Sequence, residues 1–454
     1  MSGNLDLERL RDLVESNEID TILVCFPDMQ GRLSGKRITG HFFLDHVVEG
    51  MHVCDFLLTV DMDMTPVPGY AAASWGLGYG NLTVRPDLDT LRHVPWLPGT
   101  ALVLGDCVDQ DGNELRHSPR AILKRQVGLA TEAGYTVKMG SELEFYLFHE
   151  TYESAAERDY DDLKTSGRYI EDYHILQTSK DEPFIRAIRN GIEGAGIPVE
   201  CSKGEWGPGQ QEINLQYADA LEMADRHTIY KNGAKEIAYL QDKAITFMAK
   251  WSNDVAGNSC HIHSSWWDAA SGASLFFDEA GENGMSKTFR HYLAGQLALA
   301  REMTYFFAPY INSYKRFQAG SFAPTNAVWG MDNRTVGFRV LGPGPSTRVE
   351  CRIPGADANP YLAFAATLAA GLHGIEQELE LEPIFEGDAY AAEGIREVPK
   401  TLRDALDALD GSEVMRRILG DDVIDHYVRT GRWEQSESDR RISDWEVRRG
   451  FEQA

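Results

Sequence analysis

The sequence predicts an α+β protein with a small β-rich N-terminal domain and a large domain in which helices flank a curved antiparallel sheet. Strand patterns dominate roughly the first quarter of the chain, whereas long helical segments separate the strands that follow. Several later strands alternate apolar and charged residues, which places the charged groups on one face of a sheet. The polar turn Asp109–Gly112 separates the two regions. We therefore predict domains at residues 1–110 and 111–454.

In the N-terminal region, residues 5–17 carry an apolar stripe at helical spacing. Short runs of strand-forming residues follow, and the turn residues Asp28–Gly31 predict that the first two of them form a hairpin. The Pro-, Gly- and Trp-rich residues 66–98 predict long irregular loops. The predicted strands are residues 21–26, 32–38, 53–60 and 101–107.

In the second region, Ser118-Pro119 is typical of a helix start and Gly134 of a helix end. Residues 151–180 are charged and predicted to be irregular, and Asp225 is predicted to cap a helix that reaches residue 242. Asn359-Pro360 begins an alanine-rich helix that we expect to be buried on most sides, and short helices are expected from residue 401 onward. The other predicted helices are 183–194 and 286–307, and the predicted strands are 138–148, 197–201 and 244–251.

The composition excludes several classes of protein. The 454 residues are 43% hydrophobic and 25% charged, and the net charge of −26 argues against nucleic acid or an anionic membrane as a partner. The longest apolar run, residues 361–372, is shorter than the ~20 residues of a membrane span. The N-terminus lacks the pattern of a signal peptide, and the six cysteines show no spacing typical of zinc sites or disulfide frameworks. We expect a cytoplasmic protein.

The segment Lys138–Phe148 is predicted to be a buried strand with two carboxylates on one face. Glu142 and Glu144 share that face, about 7 Å apart, and leucine and phenylalanine occupy the other. For this strand alone, a solvated glutamate face is the simpler interpretation. The same pattern recurs elsewhere, however, which favours a shared polar surface.

Three more segments repeat this alternation. In addition, Glu205 lies across a Gly-Pro-Gly turn from Glu212, which can bring the two carboxylates together. The polar residues concerned are Glu205, Glu212, Asn214, Gln216, His261, His263, Ser265, Arg348, Glu350 and Arg352. Together these strands predict a sheet whose concave face forms a polar funnel. Glutamates with a histidine suit Mg²⁺ or Mn²⁺, whereas zinc would favour more histidine or cysteine.

Residues 310–352 reverse the overall acidic charge, with six basic residues against Asp332 and Glu350. Some of these basic residues would serve equally well on a solvated surface. Arginine, however, binds phosphate and carboxylate through two parallel hydrogen bonds. Divalent cations beside an arginine cluster predict phosphoryl transfer with an acidic co-substrate.

These segments resemble type I glutamine synthetase over nearly the whole chain, in the same order and spacing. The matching motifs begin with Gly140-Ser-Glu-Leu-Glu-Phe145, Gly207-Pro-Gly-Gln-Gln-Glu-Ile-Asn214 and Lys231-Asn-Gly-Ala-Lys235, and continue with Gly257-Asn-Ser-Cys-His-Ile-His263, Asn312-Ser-Tyr-Lys-Arg316, Asp332-Asn-Arg334 and Arg348–Tyr361. The resemblance implies a β-grasp domain, a catalytic domain with a metal-bearing funnel, and a dodecamer of two hexameric rings. Active sites would then lie between neighbouring subunits.

The resemblance also implies roles for individual residues and two or more divalent cations per site. It implies one metal at Glu144, Glu205 and Glu212, and a second at Glu142, His261 and Glu350. Gly257, Arg316 and Arg352 would bind glutamate, and Glu200, His263, Ser265 and Arg348 would bind ATP. Arg334 and Arg339 would stabilise the transferred phosphoryl group, and Glu205 and Asp55 would also act in catalysis. The implied product of the first step is γ-glutamyl phosphate.

One departure from the family bears on the second substrate. Where glutamine synthetases carry a glutamate that helps to deprotonate ammonium, this chain carries Phe322, and we expect Phe322 and Tyr173 to line an amine pocket. An aromatic ring does not accept the proton of ammonium but packs on an alkyl amine. The chain thus looks most like the actinobacterial γ-glutamyl-amine ligases, and ethanolamine is the favoured amine. Glutamine synthetase, γ-glutamylpolyamine synthetase and a non-catalytic ring protein of the same fold stay as alternatives.

Overall fold

The computed structural model describes residues 2–454, so Met1, the first residue of the predicted N-terminal domain, lies outside the described residues. It confirms the α+β class, with two separate sheets and helices packed on them. The domain boundary and the β-grasp topology stay predictions. No helix within residues 2–454 has both the length and the apolar character needed to cross a bilayer.

The N-terminal region forms a six-stranded sheet in the order β2-β1-β6-β4-β3, with β5 paired to β6. Strands β1 and β6 run parallel, and the other pairs are antiparallel. Apolar residues from Leu5 to Cys107 form a core of their own beneath this sheet. The elements are α1 (Leu7–Glu15), β1 (Thr21–Pro27), β2 (Leu33–Thr39), α2 (Gly40–Phe42), β3 (Met51–Cys54), β4 (Asn81–Pro86), β5 (Arg92–His93) and β6 (Thr100–Val108).

Two predictions for this region were wrong. The strand expected at residues 53–60 stops at Cys54, because Asp55–Leu58 turns into a 3₁₀ helix. The segment 66–98, expected to be irregular, contains β4 and β5. Strand β4 buries Leu82 and Val84 on one side, and the surrounding Pro and Gly residues masked this alternation.

The second region carries a nine-stranded sheet in the order β13-β14-β15-β12-β7-β9-β8, with β10 and β11 also paired to β7. Only β13 and β14 run parallel. The strands are β7 (Tyr135–Phe148), β8 (Val199–Gly204), β9 (Gln210–Leu215), β10 (Ala218–Asp219), β11 (Ala244–Thr246), β12 (Cys260–Asp268), β13 (Trp329–Met331), β14 (Phe338–Leu341) and β15 (Arg348–Cys351).

Helices pack against the apolar face of this sheet and on one another. The alanine-rich helix α9 is buried along nearly its whole length, as predicted, and contacts α3, α6, α7 and α8. The helices are α3 (Pro119–Glu132), α4 (Tyr152–Glu157), α5 (Ile175–Gly194), α6 (Ala220–Leu240), α7 (Lys287–Ala298), α8 (Ala300–Phe307), α9 (Pro360–Glu376), α10 (Leu402–Asp410), α11 (Glu413–Leu419), α12 (Asp421–Asp439) and α13 (Asp444–Gly450).

Several predicted boundaries in this region were also wrong. Helix α5 begins at Ile175 and carries Pro183 in its interior, although the sequence predicted a start at that proline. The single helix expected at residues 286–307 is interrupted at Leu299. The strand expected at 244–251 is only three residues long.

Asp225, predicted as a helix cap, lies inside α6 and belongs to a buried ionic cluster. Arg120 of α3 is 1% exposed and donates hydrogen bonds to Asp225, to Asp106 (2.6 Å) and to Asp87 (2.7 Å). Tyr361 donates a further bond of 2.7 Å to Asp225. Because Asp87 and Asp106 come from the N-terminal region, this cluster ties that region to α3, α6 and α9.

Candidate active site

The pairing of strands in the large sheet assembles the predicted polar residues. Strand β7 carries Glu142 and Glu144, and across it lie Glu212 of β9, opposite Glu144, and His261 of β12, opposite Glu142. On the far side of β12, Glu350 of β15 lies opposite His263. The concave face therefore brings together residues that are far apart in the sequence.

Glu144, Glu205 and Glu212 form one group, with one carboxylate oxygen of each within 4.8 Å of the others. Lys203 forms ion pairs with Glu205 and with Asp172, the latter at 3.3 Å. Burial and the neighbouring Glu205 raise the pKa of Glu144 to about 8, and the same causes raise that of Glu212 well above its ordinary value. Three carboxylates this close fit a divalent cation, whose charge would take the place of the protons.

A second group lies beside the first, at Glu142, His263 and Glu350. The Nδ1 atom of His261 also lies 3.1 Å from Glu142 and 3.4 Å from Glu350, so both histidines of the His-x-His motif reach this group. Nε2 of His261 is buried without a hydrogen-bond partner among the described residues. Together these carboxylate and imidazole groups also fit a divalent cation.

The charge of the second group is balanced by basic side chains. Burial acts to raise the pKa of Glu350, but the charges of Arg352 and His261 outweigh it and lower the pKa to about 2. Nη1 of Arg352 donates to Glu350 at 2.5 Å, and Nη1 of Arg339 does so at 3.0 Å. The pKa of Glu142 is also lowered: burial opposes the shift, but the charge of His263 and hydrogen bonds from both histidines outweigh it.

A cavity of about 330 Å³ opens onto both groups. Its wall also carries residues predicted to bind glutamate, the transferred phosphoryl group and the amine. Gly257 and Arg352 were predicted to bind glutamate, Arg334 and Arg339 to contact the phosphoryl group, and Tyr173 and Phe322 to line the amine pocket.

A second cavity, of about 380 Å³, adjoins the first, and Glu142 and Asn214 line both. All four residues predicted to bind ATP lie in its wall, namely Glu200, His263, Ser265 and Arg348. Nε of Arg348 donates to Nδ1 of His263 at 3.2 Å, and Nε2 of the same ring faces Glu142 at 2.8 Å. The second acidic group thus lies where the two cavities meet.

Two predicted residues are not brought into these cavities within the described chain. Arg316 is 2% exposed, and its Nη2 donates to the carbonyl oxygens of residues 352, 353 and 354 at 2.5–3.2 Å. Asp55 lies in the N-terminal region, where its carboxylate accepts a bond of 2.9 Å from the backbone of Gly80. Neither residue lines either cavity.

Comparison with known proteins identifies the family to which this site belongs. Residues 116–450 match the family model for the catalytic domain of glutamine synthetase. The chain belongs to the glutamine synthetase family. The resemblance predicted from the sequence is confirmed, and the protein is a ligase of this family.

Relatives within the glutamine synthetase family match the chain along nearly its whole length. The γ-glutamylethanolamide synthetase of Streptomyces coelicolor is 49% identical, over 99% of this chain and 96% of its own length. The glutamate–isopropylamine ligase of a Pseudomonas species is 37% identical, over 97% of each chain. A solved structure of a GmaS–ADP complex superposes with a TM-score of 0.85 at 28% identity, covering 97% of this chain and 99% of that one.

Sequence reasoning missed two residues of this glutamine-synthetase-like site. The side-chain amide of Gln210 donates at 3.0 Å to Glu144, Gly257 and Asn258, and the alternation that places Glu212 on the concave face would have found it. Trp206 lies in the cavity wall with its ring centroid 5.4 Å from that of Phe322. Its position next to Glu205 in the sequence was the available signal.

Proposed function

We propose that this protein is an ATP-dependent ligase that joins the γ-carboxylate of L-glutamate to a small primary amine, with ethanolamine favoured, and releases ADP and phosphate. The observation that carries this proposal is the aromatic wall formed by Phe322 and Trp206 on the cavity that holds both acidic groups. The related γ-glutamylethanolamide synthetase and glutamate–isopropylamine ligase support the same substrate class.

We assign ATP to the cavity lined by Glu200, His263, Ser265 and Arg348, with its γ-phosphate directed toward Glu142. A related structure was solved as an ADP complex, which supports nucleotide binding by this fold. We assign glutamate to the adjoining cavity near Gly257 and Arg352. Glu142 and its histidines would then lie between the two substrates.

Two reaction steps follow from this arrangement. An oxygen of the γ-carboxylate attacks the γ-phosphorus of ATP, and the bond to the bridging oxygen breaks to give γ-glutamyl phosphate and ADP. The amine nitrogen then attacks the acyl carbon, phosphate leaves, and the nitrogen loses a proton. Mg²⁺ or Mn²⁺ ions held by the two acidic groups would offset the repulsion between carboxylate and polyphosphate.

The chain's own residues position the reactants and stabilise charge. Arg339 is already fixed by Glu350 and by Asp332, so its guanidinium is held rigidly beside the second acidic group. We assign Arg339 and Arg334 to the negative charge that develops on the transferred phosphoryl group. Nη2 of Arg352 donates to the carbonyl oxygen of Phe322 at 3.3 Å, which links the glutamate and amine ends of the cavity.

The amine end of the cavity is aromatic. The backbone of Phe322 is left-handed, with φ of 58°, and its side chain is 43% exposed at the cavity mouth. Tyr173 lies on the same wall, and the Nζ atom of Lys203 lies 4.5 Å from its ring centroid. Rings at this position favour an amine with carbon atoms to pack, such as ethanolamine, over the bare ammonium ion.

We further propose the dodecamer of two hexameric rings and a cytoplasmic location. Asp55 does not line the cavities of its own chain, which supports an active site completed by Asp55 of a neighbouring subunit. That carboxylate would accept the proton of the attacking amine, alongside Glu205 of the first acidic group. All six cysteines are free, which suits a reducing compartment.

An amine-panel assay tests the function. ADP release is measured with glutamate, ATP and Mg²⁺, and with ammonium, ethanolamine, isopropylamine or a linear polyamine as the second substrate. We expect the highest kcat/KM with ethanolamine. Equal or faster turnover with ammonium would identify a glutamine synthetase, preference for the polyamine would identify the polyamine ligase, and no ADP with any amine would favour the non-catalytic ring protein.

A further inference from the structure

A third large cavity, of about 560 Å³, lies away from the two substrate cavities and shares none of their wall residues within residues 2–454. Its walls come mainly from the turn after β1, from helix α6, and from β11 with the segment that follows it. Tyr152, Phe247 and Tyr310 give it aromatic surface. The proposed function leaves this cavity without a role.

Two lysines from a motif with no role in the proposed reaction line this cavity. Lys231 and Lys235 begin and end the segment Lys231-Asn-Gly-Ala-Lys235 on α6, and their spacing of four residues places them on one face of the helix. Their Nζ atoms lie 5.4 Å and 5.8 Å from the centroid of the same Phe247 ring. Like charges at this spacing destabilise a helix, so the arrangement favours a compensating negative charge.

The protein itself supplies little of that negative charge. Among the described residues, neither lysine forms an ion pair with a carboxylate, and Lys231 donates only to the carbonyl oxygen of Ala356, at 2.5 Å. Asp357 is the single acidic residue in the cavity wall as the described residues form it; its Oδ2 accepts a bond of 2.7 Å from Ser313, and its Oδ1 is buried without a hydrogen-bond partner, so one carboxylate faces three cations. Arg32 adds a third cation.

The donors of Arg32 are committed to protein groups. Its Nε donates to Asp28 at 2.8 Å and its Nη1 to the carbonyl oxygen of Met62 at 2.7 Å. Burial and the charge of Lys235 lower the pKa of Lys231 to about 8, whereas Lys235 itself is exposed to solvent at the cavity. The cations therefore repel one another, and the two lysines retain donors that can point into the cavity.

We propose that this cavity is a binding site for a small oxyanion with two negative charges, of the phosphate or dicarboxylate class, held by Lys231 and Lys235. The ammonium groups would donate to its oxygens, and Arg32 would add attraction without a direct bond. The aromatic wall leaves room for a short carbon chain on the ligand. Lys235 is the principal ligand, because its Nζ makes no hydrogen bond within the described chain.

Equilibrium dialysis and calorimetry on the full-length assembled protein test the site, with inorganic phosphate and malonate as separate probes. The Lys231→Met/Lys235→Met variant removes both ammonium groups and retains the side-chain length. A matched Lys287→Met/Lys400→Met variant removes the same charge from two exposed ion pairs elsewhere. Anion binding in the substrate cavities is common to all three proteins and therefore cancels in the comparison.

We expect the first variant to lose one class of sites, with affinity at least about tenfold weaker for one of the two probes, and the control to bind as the wild type does. The probe that responds identifies the phosphate or the dicarboxylate class. Identical isotherms in all three proteins, or an equal loss in both variants, would overturn the proposal. Lys235→Met alone gives the same test if the double variant does not fold, because Lys235 forms no hydrogen bond that the fold requires.

Discussion

Replacing Glu350 with glutamine tests the second acidic group. Glu350 is 1% exposed and accepts hydrogen bonds from Arg352 at 2.5 Å and from Arg339 at 3.0 Å, and His261 lies 3.4 Å away. Glutamine keeps the volume and one acceptor oxygen but removes the negative charge. The apolar neighbours Val349 and Cys351 on the opposite face are untouched.

The expected magnitudes follow from these contacts. Glutamine keeps one of the two acceptor oxygens, so one of the bonds from Arg352 and Arg339 is lost. Arg339 still donates to Asp332 and Arg352 to the carbonyl of Phe322, but neither cation faces a charged partner at position 350. Loss of a hydrogen bond between charged groups lowers the free energy of unfolding by about 2 kcal/mol, and the protein should stay folded. Loss of one preorganised charge at the transferred phosphoryl group should lower kcat by roughly 10²–10³.

The assay follows ADP release at saturating glutamate and ethanolamine across a Mg²⁺ titration, with urea unfolding measured in parallel. Asp332→Asn is the matched control, because it removes the exposed partner of Arg339 and leaves Glu350 in place. We expect the control to lose less than about tenfold in kcat, since exposed ion pairs contribute little. Wild-type kcat and Mg²⁺ dependence in Glu350→Gln would refute the assignment of this group as a cation site.

Three further predictions follow from other contacts. Phe322→Glu should raise the ratio of kcat/KM for ammonium to kcat/KM for ethanolamine by at least about tenfold in the amine panel. The reason is that a carboxylate attracts ammonium and accepts its proton. An unchanged ratio would contradict the aromatic amine pocket. Arg120→Met leaves three carboxylates without their buried cation, and urea unfolding should show a free energy of unfolding lower by about 3–5 kcal/mol. A loss below about 1 kcal/mol would show that this ionic cluster does not hold the two regions together. Burial lowers the pKa of His117 to about 4, whereas the pKa of histidine in the unfolded chain is about 6.5. As the pH falls, the unfolded state therefore binds the proton first. The free energy of unfolding should decrease by up to about 3 kcal/mol between about pH 6.5 and pH 4. His117→Gln should flatten that urea profile, and an unaltered slope would assign the pH dependence to other groups.

Alternation along single strands predicted the faces of the site correctly, because side chains in a strand point to opposite sides whatever its partners are. The register between strands could not be predicted. His261 lies opposite Glu142 through pairing across more than a hundred residues, and its position depends on how the whole sheet assembles. For the same reason the sequence alone did not indicate that both histidines reach Glu142.

The errors in secondary structure have local causes. Pro183 suggested a helix start, since proline is favoured in the first turn, yet α5 tolerates it in the interior because helix packing outweighs one lost hydrogen bond. Strand β4 was missed because Pro and Gly residues dominate its surroundings, although its own alternation is regular. In both places tertiary packing overrode a propensity that is weak by comparison.

For Arg316, the sequence predicted a residue close to the glutamate site but not the groups that its guanidinium contacts. Its side chain passes directly beside Gly257, where a Cβ atom would lie 2.6 Å from Cγ of Arg316, so glycine is required there for the arginine to fit. The guanidinium donates to the carbonyl oxygens of residues 352–354 and thereby fixes the backbone that carries Arg352, while its Nε and Nη1 are buried without partners in the described chain. Buried unpaired donors on a cation are unfavourable, so the position of Arg316 is held at a cost in free energy. Arg352, which lines the cavity directly, would then make the first contact with glutamate, and Arg316 would hold that residue in place from behind.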